Sequence, residues 1–155
     1  MQMARAGTYK NWYSWPGFIL DNTWSVYNSF LGSFFSVANL WNPVNKKASQ
    51  DMGGLYHETS WFGSSSTTIG NVTVGKSVPE HEAIHAWQAR LLGPAYVPLV
   101  LTGYVVATIL PYWLVWKDCK LGGFWSGGYF TKGVYPNTWH EAIAYGHEGD
   151  RCSCC

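Results

Sequence analysis

A chain of 155 residues with a net charge of +1 is long enough to bury one core, and we interpret residues 1–155 as a single domain. Only 12% of its residues are charged and lysine and arginine form no cluster, which excludes nucleic acid as the main partner. Aromatic residues make up 17%, a share that fits either an aromatic core or an extended partner or membrane surface.

The N-terminal third of the chain predicts one helix and then a small sheet. The first ten residues lack the continuous apolar run of a secretory signal, so we expect no signal peptide in this chain. Residues 21–23 are suited to cap a helix whose apolar stripe contains Trp24, Tyr27, Leu31 and Phe35. Residues 42–47 read as a turn and loop, and the β-branched and aromatic residues at 55–59 and 67–74 predict short strands.

The clearest predicted element is a helix that begins near residue 79. Ser77 and Glu80 have the spacing of a capping box, and Pro79 fits the first turn, where its missing N–H costs nothing. Gly93 followed by Pro94 is a typical helix end. The sequence therefore predicts a helix that runs through Leu92.

The stretch from Ala95 to Trp116 contains no charged residue and is long enough to cross a bilayer. Pro98, Gly103 and Pro111 interrupt it, so we prefer a buried connection and keep membrane contact as the alternative. Residues 121–133 are rich in glycine and aromatic residues and predict a loop. A last helix is expected from residues 136–138 through Tyr145, where Gly146 would end it.

The four cysteines do not form a spaced disulfide framework. Cys119 stands alone, and the other three lie in the tail at Cys152, Cys154 and Cys155. The tail thiolates suit a metal, but an unstructured terminus is the more common state of such a segment, and we prefer it.

The predicted helix at residues 79–92 carries the motif with the clearest chemistry. His81 and His85 are four residues apart, which places both imidazoles on one helix face, one turn apart, as a shared zinc ion requires. Glu82 lies about 100° around the helix from His81, which suits a general base that activates a metal-bound water. Three other histidines are also followed by glutamate, so the competing interpretation is a core helix with two hydrogen-bonded histidines.

Catalytic zinc usually takes three protein ligands and a water, so a third ligand is expected downstream. Glu141 is our candidate, with His140 and then His147 as substitutes of suitable chemistry. The competing interpretation is that Thr138 and Glu141 form a capping box. Tyr145 is predicted to donate to the oxyanion, with Tyr135 as the alternative.

The run from His81 to Pro98 resembles the HExxHxxQ and LGPxYxP pattern of bacterial metallopeptidase domains, including those at the C-termini of Rhs-type polymorphic toxins. Glu141 and Ala144 resemble the downstream ExxA segment that supplies the third ligand in glutamate-type zincins. Ile84 departs from the pattern, because the family often has glycine there. The resemblance implies a zincin-like peptidase, delivered as a secreted toxin module that has a cognate immunity protein.

These observations predict an α+β fold of the small zincin type, with a short sheet, an active-site helix, an apolar helical segment and a C-terminal helix that bears a ligand. The predicted function is that of a Zn²⁺-dependent endopeptidase acting on a peptide or protein, with His81, His85 and Glu141 as ligands and Glu82 as catalytic base. The strand around residues 68–74 is a candidate for pairing with an extended substrate. The alternatives are a membrane-associated metallopeptidase that inserts residues 95–116, and with them residues 18–41, and a non-catalytic interaction domain with structural histidines.

Overall fold

The structure is a computed structural model that describes residues 9–59, 66–75, 79–115 and 128–148. Its elements confirm the α+β class: a three-stranded mixed sheet is combined with a helix that carries His81 and His85 and a C-terminal helix that carries Glu141. The chain divides into two compact units, Met1–Tyr96 and Val97–Cys155. The interpretation as one domain over residues 1–155 stays a prediction.

Within the described residues, the first unit contains four α-helices. Following a 3-10 turn at Trp12–Ser14, these are α1 (Trp15–Asn22), α2 (Val26–Ala38), α3 (Lys46–Met52) and α4 (Pro79–Leu92). Helix α3 lies partly in the predicted loop because Asn45 accepts a hydrogen bond from the backbone N–H of Ala48 at 2.9 Å, and Gly53 ends the helix at φ 64°. Helix α4 has the predicted bounds, although Ser77 of the predicted capping box lies outside the described residues.

The sheet consists of β1 (Leu55–His57), β2 (Thr67–Ile69) and β3 (Val72–Val74) in the order β1-β3-β2. Strand β3 pairs in parallel with β1 and antiparallel with β2. The predicted strand region at residues 67–74 is thus a hairpin, which turns at Gly70 and Asn71. Gly70 has φ 60°, and a Cβ on it would lie 2.2 Å from the carbonyl oxygen of Asn28, so this tight approach to α2 requires glycine.

Helix α2 buries small and polar residues and exposes most of its large apolar ones, which is the reverse of a typical helix at the surface of a water-soluble protein. Its fully buried positions are small or polar, at Asn28, Gly32 and Ser36. Most of its large apolar side chains are exposed, whereas Leu31 and Phe35 are half-buried and Phe35 packs against the core. The predicted helix around Trp24 to Phe35 exists, but Trp24 and Tyr27 are exposed rather than part of the core. Asp21 does not cap α2, because it lies within α1 and pairs with Arg90.

The second unit contains α5 (Tyr96–Ile109), which follows a 3-10 turn at Gly93–Ala95, and α6 (Trp139–Glu148). A 3-10 turn at Tyr112–Val115, a π-helix at Tyr129–Val134 and a helical turn at Tyr135–Asn137 lie between them. The core of this unit is formed by Ala107, Trp113 and Val134.

Three predictions for this part of the chain need correction. The prediction that residues 95–116 form a buried connection is wrong for most of α5, because Leu101, Val105 and Ile109 are 60%, 56% and 69% exposed. The prediction of a loop at residues 121–133 is wrong from Tyr129 onward, where the π-helix begins. Residues 121–127 lie outside the described part of the chain. Gly146 does not end the last helix, which continues to Glu148. The four cysteines also lie outside the described residues.

Candidate metal centre

The two histidines of α4 present the same ring nitrogen to each other. His81 Nε2 and His85 Nε2 are 3.1 Å apart, and both side chains are buried. Two nitrogens bound to one tetrahedral zinc ion at ~2.0–2.1 Å are ~3.3 Å apart, so this separation is close to that of a shared cation. The spacing of four residues on one helix therefore produces the convergence that the sequence predicted.

Gln88 determines which nitrogen of His85 is available. The Nδ1 atom of His85 lies 3.0 Å from Gln88 Oε1, a carbonyl oxygen that only accepts hydrogen bonds. Nδ1 therefore carries the proton, and Nε2 presents its lone pair toward His81. A hydrogen bond from the second nitrogen of a ligating histidine to an oxygen acceptor is the usual support of such a ligand. Without a cation, the contact between the two Nε2 atoms is a hydrogen bond that His81 donates.

Glu141 completes a group of three residues able to hold a metal ion. One ligand atom from each of His81, His85 and Glu141 lies within 4.8 Å of the others, and all three residues are buried. Two neutral imidazoles and one carboxylate are a donor set that zinc accepts in hydrolases. The residues present thus fit the metal that the sequence predicted.

Glu141 belongs to the group of three possible metal ligands, whereas the two substitute ligands, His140 and His147, do not. Tyr135 hydrogen-bonds to Glu141, and burial together with the negative charge of that carboxylate raises the pKa of Tyr135. His140 Nε2 lies 3.3 Å from the hydroxyl of Tyr104 and 3.7 Å from Glu141 Oε1. His147 is exposed. The hydroxyl of Thr138, the predicted partner in a capping box, donates to the carbonyl oxygen of Tyr135 at 2.8 Å.

Glu82 lies beside the two histidines and is held by the sheet. The carboxylate accepts a hydrogen bond from the hydroxyl of Thr68 on β2, and Thr68 is in turn 2.7 Å from the hydroxyl of Thr73 on β3. Glu82 is only 4% exposed and lies in the first turn of α4, where the helix dipole favours a negative charge. A buried carboxylate that is oriented by a hydroxyl has the chemistry of a general base.

Sequence reasoning assigned no role to Gln88 or Thr68. Gln88 stands three residues after His85, on the same helix face, so the spacing alone was sufficient to suggest a support for the ligand. Thr68 offers no local signal, because it reaches Glu82 only through the pairing of β2 with β3. Tyr145 is half-buried on α6, four residues after Glu141, and its role as a donor to the oxyanion stays a prediction.

Comparison of the chain with models of known protein families, with curated proteins and with solved structures finds no match.

Proposed function

We propose that this protein is a zinc-dependent endopeptidase in which His81, His85 and Glu141 hold the metal and Glu82 acts as the general base. The observation that carries the proposal is the buried convergence of three ligand atoms next to a fourth buried group, a carboxylate that is not itself one of the three. A bound zinc ion would supply a Lewis acid and a water of lowered pKa. Burial strengthens both effects, because electrostatic interactions are stronger where water is excluded.

The roles of the protein's own residues follow from their positions. Glu82 accepts a proton from the attacking water and passes it to the leaving amine, so that one carboxylate serves both halves of the reaction. Thr68 donates a hydrogen bond to Glu82 and so orients the carboxylate. Gln88 keeps His85 in the tautomer that a cation requires. Tyr145 is proposed to donate to the oxyanion, with Tyr135 as the alternative.

A peptide substrate is proposed because β2 is an edge strand of the sheet formed by the described residues and its Thr68 contacts the catalytic carboxylate. An extended chain that adds to this edge would pass beside the metal centre. The resemblance of the motifs to Rhs-associated peptidase domains is the sole support for the further proposal of a secreted toxin module with an immunity protein as its partner.

The test is metal analysis of the purified full chain combined with hydrolysis of a library of quenched fluorescent peptides. We expect about one equivalent of zinc, lost in His85→Ala and in Glu141→Ala and retained in the exposed histidine variant His147→Ala. Glu82→Gln should retain zinc and lose at least ~10²-fold in peptide hydrolysis.

Glu80→Gln is the matched control for Glu82→Gln, because Glu80 lies in the same helical turn but is exposed. It should keep both zinc and activity. A folded wild type that takes up no zinc would refute the metal centre. Zinc bound at full occupancy without hydrolysis of any library peptide would refute the peptidase proposal while leaving the metal centre intact.

A further inference from the structure

The exposed surface of α2 is apolar along the whole helix. Its outward side chains include Val26, Tyr27, Phe30, Phe34 and Val37, which are 53–62% exposed. Phe30 and Phe34 pack edge to face with their centroids 4.8 Å apart, so they form a continuous aromatic surface. An exposed apolar patch of this kind marks a contact surface rather than ordinary scatter of single residues.

The buried side of α2 is built from small and polar residues. Ser25 donates to the carbonyl oxygen of Ala89 at 2.9 Å, and Asn28 donates to the carbonyl oxygens of Ala89 and Gly93 at 3.0 and 2.7 Å. Gly32 lies so close to the hairpin that a Cβ would be 2.5 Å from the carbonyl oxygen of Ile69. Small residues and polar hydrogen bonds between elements, with large apolar residues outside, are the pattern of helices that pack within lipid.

Most large side chains exposed on α5, considered by itself, are also apolar. The helical segment Glu80–Ile109, which comprises α4 from Glu80, the 3-10 turn and α5, is long and apolar enough by length and composition to cross a bilayer, yet only 17% of its most apolar 18-residue window is buried. A core helix of a water-soluble protein passes the length test but is mostly buried, and this one is not. Its outward residues include Leu99, Leu101, Val105 and Ile109.

Exposed hydroxyl side chains on these helices donate to their own backbone. Ser33 of α2 and Thr102 and Thr108 of α5 each donate to the carbonyl oxygen four residues earlier, at 2.9, 2.8 and 2.7 Å. These hydroxyls are therefore satisfied within their own helices, as an environment without water requires.

The order of residue types along the sequence fits a membrane boundary at each end of the α1–α2 segment. Asp21 is the one charged residue between Lys10 and Lys46, and it is buried against Arg90. Trp12 and Trp41, which are 83% and 86% exposed, stand near the two flanking lysines. Tryptophan and lysine favour the headgroup region that borders an apolar segment.

We propose that the exposed apolar faces of α2 and α5 lie in the acyl-chain region of a lipid bilayer. The exposed apolar side chains of α2 and α5 that carry this inference are not those of the metal centre, so either proposal can fail without the other.

The first test is photolabelling of the full chain reconstituted in phosphatidylcholine vesicles, with a carbene-generating probe in the acyl chains and tryptic mapping of the label. Cleavage at Lys10, Lys46, Arg90 and Lys117 isolates peptides 11–46 and 91–117. We expect the label in these two peptides and little in peptide 48–76, which contains the sheet, or in peptide 133–151. Label that is absent from 11–46 and 91–117, or that is as strong in 48–76, would overturn the proposal.

The second test is flotation of the full chain with the same vesicles in high salt, after removal of detergent. Phe34→Lys and Val105→Lys should each lower the partition into vesicles by at least ~10-fold, because lysine is strongly disfavoured in the acyl region. Ile143→Lys is the matched control, since Ile143 is 46% exposed on α6, and it should float as the wild type does. Circular dichroism verifies the fold of each variant. A wild type that does not float and instead forms a dimer that Phe34→Lys dissociates would overturn the proposal in favour of a second copy as the occupant.

Discussion

The hydrogen bond between His85 and Gln88 makes a quantitative prediction for zinc affinity. Gln88→Leu retains a side chain of similar size and leaves the Nδ1–H of His85 buried without the acceptor that now lies 3.0 Å away. An unsatisfied buried donor costs ~1–3 kcal/mol, and loss of the group that orients a ligating histidine lowers metal affinity by ~10–100-fold. The two ranges agree, because a 10–100-fold change corresponds to ~1.4–2.7 kcal/mol.

The assay is a competition titration with a chromogenic chelator at constant pH. Gln88→Glu keeps an acceptor at the same position and should bind zinc at least as tightly as the wild type, because a charged acceptor strengthens the hydrogen bond. Gln50→Leu, which alters a half-buried glutamine of α3, controls for the loss of an amide as such. Zinc affinity that is unchanged in Gln88→Leu, or that falls equally in Gln88→Glu, would refute this account of the tautomer.

Two further predictions concern stability rather than the metal. Arg90 and Asp21 form a two-bond ion pair at 2.9 and 2.8 Å, and both side chains are nearly inaccessible, so Arg90→Leu should cost ~3–5 kcal/mol and lower the Tm by ~10 °C or more. Asp21→Leu/Arg90→Leu should recover only part of the loss, because Gly53 and Tyr9 also lose a partner. Thermal unfolding followed by circular dichroism measures both variants, and equal losses in the single and double variants would contradict the reasoning. Burial lowers the pKa of His57 below 6.5, so the unfolded chain binds a proton that the folded chain resists, and the free energy of unfolding should fall as the pH drops below 6.5. His57→Gln should flatten this slope in urea titrations with EDTA present, and a slope equal to that of the wild type would count against it.

The parts of the site that the sequence predicted are those that depend on local geometry. His81 and His85 share a helix face because of their spacing, and Glu82 follows from the same helix. Both ends of α4 carry local signals, so the bounds agree with the structure. Glu141 was found by chemistry rather than geometry, because the sequence offered few downstream groups that zinc accepts.

The predictions that failed depend on contacts between residues that are distant in the sequence, or on which face of a helix is buried. Asp21 looked like a cap because capping is the common local use of aspartate, but its partner Arg90 is 69 residues away. Trp24 and Tyr27 of the predicted apolar stripe are exposed, whereas Leu31 and Phe35 of the same stripe are half-buried and Phe35 packs against the core. The buried face of α2 is instead marked by Asn28, Gly32 and Ser36, a pattern that hydrophobic periodicity overlooks.

The rotation of α4 about its own axis decides whether its histidines face the metal, and contacts at both ends of the helix fix it. Near the N-terminus, Thr68 holds Glu82, which is adjacent to the first ligand. Near the C-terminus, Arg90 binds Asp21 of α1, and the carbonyl oxygen of Ala89 accepts from Ser25 and Asn28. A helix held at two points about two turns apart cannot rotate without breaking a buried hydrogen bond or ion pair, either of which is costly. We therefore expect the ion pair to contribute to the affinity of the proposed metal site as well as to stability, because it keeps two of the proposed ligands in position.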